Sequence, residues 1–142
     1  MVRTLSLPAS SQGLHLITSQ IAGVVADAAR IGSLAADGSG LCTVFVRHTS
    51  ASLLVQENAD PSARHDLETW LNRLVPEHDP LYTHNDEGPD DMPAHIKASL
   101  TAVSLSIPIL HNQLALGTWQ GVYLWEHRKG RMPRVIVVHV GP

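Results

Sequence analysis

Three segments of the chain carry apolar residues three or four positions apart, the spacing of an α-helix with one buried face. We expect the first helix to begin with Thr18 or Ser19 as its cap and to end at Gly32. The second has Asp60 placed as a cap and Pro61 in its first position. The third begins at residue 91 or 92. The residues expected to face inward are Ile21, Val25, Ala28 and Ile31, then Ala63, Leu67, Trp70, Leu71 and Leu74, then Ile96, Leu100 and Val103.

The other regular segments are rich in β-branched residues and are bounded by turn residues, which indicates strands. They cover residues 2–7, 14–17, 41–48, 49–56, 104–110, 114–127 and 133–140. A short basic turn joins the last two, which therefore predict a long hairpin. Helices and strands do not alternate regularly, so the pattern favours an α+β fold with a large mixed, mostly antiparallel β-sheet packed with two to three helices.

The composition is that of a packed globular protein, because 44% of its 142 residues are hydrophobic and 16% are charged. The length predicts a single domain over residues 1–142. A net charge of −3 with no long run of like charges argues against nucleic acid as a partner. The single cysteine, Cys42, excludes an intrachain disulfide and a thiolate zinc knot. No signal peptide or apolar segment long enough for a membrane is found, so we expect a cytoplasmic protein.

Polar side chains gather where the strand at residues 41–48 ends. His48, Thr49 and Ser50 follow it directly, and Glu57 and Asn58 precede the second helix. A rigid strand end can hold groups that still reach solvent, so this stretch is a candidate site. The alternative is a polar turn in which Ser and Thr satisfy backbone donors and Glu57 pairs with an arginine.

A second group of polar residues lies in the loop before the third helix. His84, Asp91 and His95 fall within a dozen positions of one another, among further acids. The helix dipole disfavours the charged form of His95 in the first turn, which suits that ring to metal binding or proton acceptance. Carboxylate and imidazole together can hold a divalent ion. Otherwise, the acids stabilise the helix start and the histidines are solvated.

The segment LGTWQGVYLWEHR alternates its side chains between two faces and places Gln120 and Glu126 on the same face, with Val122 and Leu124. A carboxylate among apolar neighbours must pair with a cation, a metal or a donor, or lie near water. Gly121 permits close approach of a ligand or of neighbouring chain, or marks a bulge. The following basic residues Arg128, Lys129, Arg131 and Arg134 offer a phosphate site or a solvated turn. Walker, dinucleotide, GxSxG and HExxH motifs are absent from the sequence.

Three blocks of the sequence, HTSASLLVQENADPSARHDLE, EGPDDMPAHIKASL and LALGTWQGVYLWEHR, resemble in order and separation the signature segments of the YjbQ family. The resemblance extends over nearly the whole chain. It implies an α+β fold with a large mixed sheet, a homotrimer, and a polar pocket where subunits meet. It also implies thiamine-phosphate synthesis, in which hydroxymethylpyrimidine pyrophosphate is coupled to thiazole phosphate and pyrophosphate is released.

Carried over by position, the resemblance points to nine site residues in this chain. The catalytic candidates are His48, Glu57, His95 and Glu126; the substrate-binding candidates are Thr49, Ser50, Asn58, Asp91 and Gln120. His48 and His95 are also the expected ligands of a divalent ion, Zn²⁺ or Mg²⁺. His84 lies in a less constrained part of the loop and is ranked lower. The expected partner is a small phosphorylated substrate, and the alternative function is a non-catalytic trimer that binds a metal ion or a small phosphorylated ligand.

Overall fold

The computed structural model describes residues 1–130 and 132–142, so the expectation that Arg131 contributes to a phosphate site lies outside the described residues. Within those residues the chain forms eight strands and three helices. The strands are β1 Val2–Leu7, β2 Gly13–Leu16, β3 Gly40–Val46, β4 Ala51–Glu57, β5 Ser104–Leu110, β6 Gln113–Leu114, β7 Gln120–Glu126 and β8 Arg134–Gly141. The helices are α1 Thr18–Arg30, α2 Pro61–Leu74 and α3 Asp91–Leu100.

The strands divide between two sheets. A five-stranded sheet has the order β1-β8-β3-β5-β6, and a three-stranded sheet has the order β2-β7-β4. Every pairing between these described strands is antiparallel. The predicted α+β fold with mostly antiparallel strands and helices is therefore confirmed. Among the described helices, none is long and apolar enough to cross a lipid bilayer.

The predicted hairpin between the last two long strands is wrong, because β7 and β8 belong to different sheets. β7 lies between β2 and β4, whereas β8 lies between β1 and β3. The predicted strand at residues 114–127 is also divided. The backbone N–H of Gln120 donates to Gly117 O at 3.0 Å, and this turn separates β6 from β7.

β7 is covered on both faces, and its alternating side chains enter two different clusters. Val122 and Leu124 are part of the main hydrophobic core between the sheets and α1. Tyr123 and Trp125 pack in a second cluster with Leu71 of α2. The alternation predicted from the sequence is thus confirmed, and it explains why a strand that carries two large aromatic residues is buried over almost its whole length.

Helix α1 buries Ile21, Val25 and Ala28 as predicted. Its start differs from the prediction, because Ile17 is the cap residue and makes no side-chain capping bond. The hydroxyl of Thr18 instead accepts a hydrogen bond from the backbone N–H of Val122 at 2.9 Å, which attaches the helix to β7. Ile31 follows the last helical residue and is exposed, so its predicted burial is wrong.

Helix α2 begins as predicted, with the Asp60 carboxylate accepting from Ser62 N at 2.9 Å. Its predicted apolar stripe is only partly correct. Leu71 is buried, but Trp70 and Leu74 are more than half exposed. The helix packs through Leu67 and Leu71 in a cluster with Tyr123 and Trp125 of the small three-stranded sheet, and Trp70 and Leu74 are not part of that cluster.

Helix α3 turns a different face inward from the one predicted. Ala94, Lys97 and Ala98 are buried, whereas Leu100 is exposed. Val103, which follows the helix, is also exposed, and Ile96 is half-buried. The predicted burial of Leu100 and Val103 is therefore wrong. The loop before α3 is a loop as predicted, since residues 75–90 are all described and lie in neither a helix nor a strand.

Candidate metal centre

Three side chains at the start of α3 point their ligand atoms at one another. His84, Asp91 and His95 each offer one ligand atom, and these atoms lie within 4.8 Å of one another. Asp91 Oδ2 is 2.8 Å from His84 Nε2 and 3.2 Å from His95 Nε2. Asp91 and His95 meet because they are four residues apart on one helix face, while the preceding loop supplies His84. Asp91 is the first residue of α3, so His95 is the fifth helical residue and lies just beyond the first turn, in which it was predicted.

The hydrogen bonds of His95 determine which of its nitrogens faces the cluster. Its Nδ1 lies 3.0 Å from the backbone carbonyl of Thr49, which can only accept, so Nδ1 carries a proton. Nε2 then faces the Asp91 carboxylate, which also only accepts. Such a contact requires either a second proton on the ring or a cation shared by the two groups. A metal-binding histidine commonly donates its other ring N–H to a backbone carbonyl, as His95 Nδ1 does to Thr49 O.

Arg128 and Asp90 hold the Asp91 carboxylate in place. Arg128 Nη1 donates to Asp91 Oδ1 at 2.6 Å, and Arg128 Nε donates to Asp90 Oδ2 at 3.0 Å. The pKa of the Asp90 carboxyl is lowered because hydrogen bonds from Lys129 N and Arg128 outweigh its burial. Arg128 and Lys129 of the basic turn after β7 are therefore already bonded to acidic residues of the same chain.

A large cavity of about 820 Å³ lies beside His95. Its wall includes Arg47, His48 and Thr49 from the chain after β3, and Ser99 from α3. His48, Thr49 and His95, which the sequence placed in one site, are therefore brought to one cavity. The cavity continues to the apolar residues Phe45 and Val103, which are partly exposed.

His48 lies outside the three-residue cluster and is held by its own contacts. Its Nε2 accepts from the backbone N–H of Val135 at 2.8 Å, so the ring proton is on Nδ1. Burial and the nearby Arg134 lower the pKa of His48, which keeps the ring neutral at pH 7. The expected pairing of His48 with His95 as metal ligands is not what the cluster shows, since His84 takes that place.

Glu126 is fully buried and forms a two-point ion pair with Arg134. Arg134 Nε donates to Glu126 Oε1 at 2.8 Å, and Nη2 donates to Oε2. Nη2 also donates to Ser50 Oγ at 3.0 Å. Since Glu126 is on β7 and Arg134 on β8, the pair joins the two sheets. Of the alternatives open from the sequence, the structure shows Glu126 paired with a cation.

The remaining candidates lie at the opposite end of the small sheet. In the antiparallel register of β4 and β7, Glu57 is opposite Gln120 and Ala51 is opposite Glu126. Six residues of strand separate the two ends, or roughly 20 Å. Asn58 Nδ2 donates to Gln120 O at 3.2 Å, and Gln120 Oε1 accepts from Gly117 N at 2.8 Å. Within one chain, Glu57, Asn58 and Gln120 form a separate group away from the cavity.

His84, ranked lower from the sequence, lies in the three-residue cluster, and Arg128 and Arg134, which the sequence left without partners, pair with Asp91 and Glu126. His84 lies in an irregular loop, where spacing carries no information about distance. A signal for Arg134 was present, because a carboxylate on a buried face calls for a cation. Which of the four neighbouring basic residues supplies that cation could be decided only from the structure.

Comparisons with known proteins agree on one family. The family model described as UPF0047 protein YjbQ-like matches residues 3–142. The UPF0047 protein YjbQ of Escherichia coli O157:H7 is 43% identical over 140 residues, covering 98% of this chain and 96% of that protein. A UPF0047 protein of Synechocystis is 59% identical over 102 residues, covering 72% of this chain and 69% of its own length.

Solved structures show the same fold. An uncharacterized conserved protein of the YjbQ/UPF0047 family from Clostridium acetobutylicum superimposes with a TM-score of 0.83 at 32% identity, covering 97% of this chain and 98% of that one. A conserved hypothetical protein from Thermus thermophilus gives a TM-score of 0.81 at 33% identity, with the same coverage. With a family model matched over nearly its whole length, the chain belongs to the YjbQ/UPF0047 family.

Proposed function

We propose that this protein binds a divalent cation at His84, Asp91 and His95 and acts on a small phosphorylated substrate in the large cavity. The reaction we propose is of the thiamine-phosphate synthase type, coupling hydroxymethylpyrimidine pyrophosphate to thiazole phosphate. The observation that carries the cation site is the 3.2 Å approach of His95 Nε2 to Asp91 Oδ2, two atoms of which neither is a donor when the ring is neutral.

The donor set favours one class of ion. Two imidazole nitrogens and one carboxylate oxygen suit Zn²⁺ and similar ions of the first transition series, whereas Mg²⁺ prefers oxygen ligands. Three protein ligands also leave room for a further ligand from the substrate. Of the two ions expected from the sequence, the geometry therefore favours Zn²⁺.

The chain's own residues can orient a phosphorylated substrate beside this cluster. A bound cation would supply positive charge to the oxygens of a departing pyrophosphate. Arg47 in the cavity wall provides a permanent positive charge, and Thr49 provides a hydroxyl. His48 is neutral with its proton on Nδ1, so it can donate a hydrogen bond but does not add charge. These groups position the substrate and stabilise departing charge, which is what a displacement reaction of this kind requires.

A second candidate, a non-catalytic trimer that binds a metal ion or a small phosphorylated ligand, is favoured by a separate observation. Both oxygens of Glu126 are engaged by Arg134, and His48 Nε2 is engaged by Val135. A side chain held in internal hydrogen bonds is a poor proton carrier. Glu126 and His48 are therefore better suited to binding and stability than to acid–base catalysis.

The homotrimer that the resemblance implies is also part of this proposal. Phe45 and Val103 form an apolar, partly exposed edge of the large cavity, which another copy of the chain would cover. Glu57 and Gln120 lie far from the cavity of their own chain and would reach a shared pocket only from a neighbouring copy. Replacing Phe45 with Glu should reduce the molar mass measured by light scattering to that of smaller species, and an unchanged mass would contradict this interface.

The metal proposal is tested by titrating metal-free protein with Zn²⁺ in a calorimeter. Wild type should bind one ion per chain, and His95→Ala and Asp91→Asn should weaken binding by at least about tenfold. His65→Ala is the matched control, because His65 is an exposed histidine on α2 outside the cluster. Equal affinities for all four proteins would overturn the cation site.

The activity is tested with the same proteins and both thiamine precursors, by following pyrophosphate release. Turnover by wild type that His95→Ala loses supports the synthase. Zn²⁺ binding without turnover would rule out the synthase and leave the non-catalytic binder. A structural subunit without ligand would show neither.

A further inference from the structure

The two imidazoles of the cluster belong to the walls of two different cavities. His95 lines the large cavity, and His84 lines a second one of about 270 Å³. The centroids of the two rings are 5.4 Å apart. Ligands in the two cavities would therefore approach the same carboxylate, Asp91, each across one imidazole ring.

The walls of the small cavity are held in place although they belong to a loop. The Tyr82 hydroxyl donates to Pro76 O at 3.0 Å, and Asn85 Nδ2 donates to Tyr82 O at 2.9 Å. Arg128 Nη2 donates to Glu87 O at 2.9 Å, which ties the loop to the end of β7. A cavity with fixed walls can bind a small ligand without first ordering a loop.

The lining chemistry of the small cavity suits a flat ring. His78, Tyr82 and His84 contribute ring surfaces, and Met92 contributes a thioether, which packs well against aromatic edges. Asn85 also lines this cavity, and its Nδ2 is directed to the Tyr82 carbonyl. The side-chain oxygen of Asn85 remains as an acceptor for an N–H group of a ligand.

We infer that the small cavity is a second substrate subsite, which takes a planar heteroaromatic ring that carries an amino group. This inference rests on the proposed function, because a reaction that couples two molecules needs both held at one reacting centre. The large cavity would then take the phosphorylated part, and the shared Asp91 cluster would lie between the two. The ring would pack between Tyr82 and Met92 and donate its amino N–H to Asn85.

The test compares two probes that differ only in the amino group, 4-aminopyrimidine and pyrimidine. Each is titrated into ¹⁵N-labelled protein, and affinities are taken from the shifts of the backbone amide signals. Wild type should bind 4-aminopyrimidine about three- to tenfold more tightly than pyrimidine, the gain expected of one hydrogen bond. In Asn85→Leu the two affinities should become equal, and Met92→Ala should weaken both probes.

Ser99→Trp is the matched control, because Ser99 is an exposed residue of the large cavity and not of the small one. It should leave both affinities unchanged. The same spectra report whether each variant is folded. Equal binding of the two probes by wild type, a preference that survives in Asn85→Leu, or loss of binding in Ser99→Trp would each overturn the subsite.

The outcomes separate this inference from the proposed function. Zn²⁺ binding with no probe bound in the small cavity would remove the subsite and leave the cation site standing. Probe binding that follows Asn85, in a protein that binds no Zn²⁺, would remove the cation site and keep the subsite.

Discussion

Arg128 donates to Oδ1 of Asp91 at 2.6 Å and thereby leaves Oδ2 of the same carboxylate to face the two imidazoles of the cluster. The two residues are 37 positions apart, and their contact joins the end of β7 to the start of α3. The guanidinium also binds Asp90 and the Glu87 carbonyl, so one side chain orients the carboxylate and secures the loop before it.

Removing the Arg128 guanidinium should weaken metal binding although the three ligand side chains themselves are unchanged. We expect Arg128→Met to lower Zn²⁺ affinity about 10- to 100-fold, the usual effect of losing a group that orients a ligand, and Arg128→Lys to recover part of it. Calorimetric titration measures both. Arg30→Met is the control, since Arg30 pairs with Asp27 on the exposed side of α1. Unchanged affinity in Arg128→Met would show that Asp91 needs no such support.

Breaking the buried ion pair between Glu126 and Arg134 should cost far more stability than removing both of its charges. Leaving one buried charge unpaired costs about 3–5 kcal/mol, so Arg134→Met should lower the free energy of unfolding by that amount. The double variant Glu126→Leu, Arg134→Met should recover most of the loss, because no charge is left buried. Urea unfolding measures the difference.

The exposed pair of Glu77 and Lys129 provides the comparison for that experiment. Its two atoms are 2.7 Å apart, but the Lys129 side chain is 60% exposed. Glu77→Gln should therefore change stability by no more than about 1 kcal/mol. A comparable loss in Glu77→Gln and Arg134→Met would contradict the role of burial.

The stability of the protein should fall in mild acid through His127. Burial, with Lys97 and Arg134 nearby, lowers the pKa of His127 to about 3, and Nε2 of the neutral ring lies within hydrogen-bonding distance of the Ser52 hydroxyl oxygen, at 2.8 Å. Its ordinary pKa is about 6.5, so below that pH the unfolded chain binds a proton that the folded chain does not. This contribution is complete above about pH 6.5 and is lost as the pH falls from there towards about 3.

The matched variant is His127→Gln, which keeps a hydrogen-bonding group for Ser52 but does not titrate. Between about pH 6.5 and 4, the free energy of unfolding of wild type should decline relative to that of the variant by up to about 1.4 kcal/mol per pH unit. Chemical denaturation at several pH values provides the comparison. Parallel curves for the two proteins would show that His127 is not the titrating group.

Two glycines should respond to alanine in opposite directions. A Cβ on Gly121 would lie 2.6 Å from Leu16 Cδ1 and 2.9 Å from Asn58 Cβ, so Gly121→Ala should destabilise the protein by about 1–3 kcal/mol. Gly23 lies within α1 with open space around it, and Gly23→Ala should stabilise by up to about 1 kcal/mol. Thermal unfolding measures both, and a neutral result at Gly121 would mean that Leu16 moves freely.

Local chemistry was enough to predict most of the elements. The cap of α2 at Asp60, the alternation along β7 and the irregular loop before α3 all depend on residues close together in sequence, and all are present. The α+β fold and the antiparallel pairing also followed, because they depend on the order of elements more than on contacts between distant residues. The exposed side chains of Ile31 and Leu74 show the limit of such predictions, since a helix position is buried only if another element covers it.

The composition of the site was decided by which strands pair and in which register. Periodicity places side chains on faces but does not say which faces meet. It put Gln120 on one face with Glu126, and the family resemblance added Glu57, but the β4–β7 register separates Glu57 and Gln120 from Glu126 by the length of a strand. The same limit hid the partnership of Glu126 with Arg134 across two sheets and that of His84 with His95. These contacts join parts of the chain that local propensity does not connect, and only the packing of the two sheets and the anchored loop brings them together.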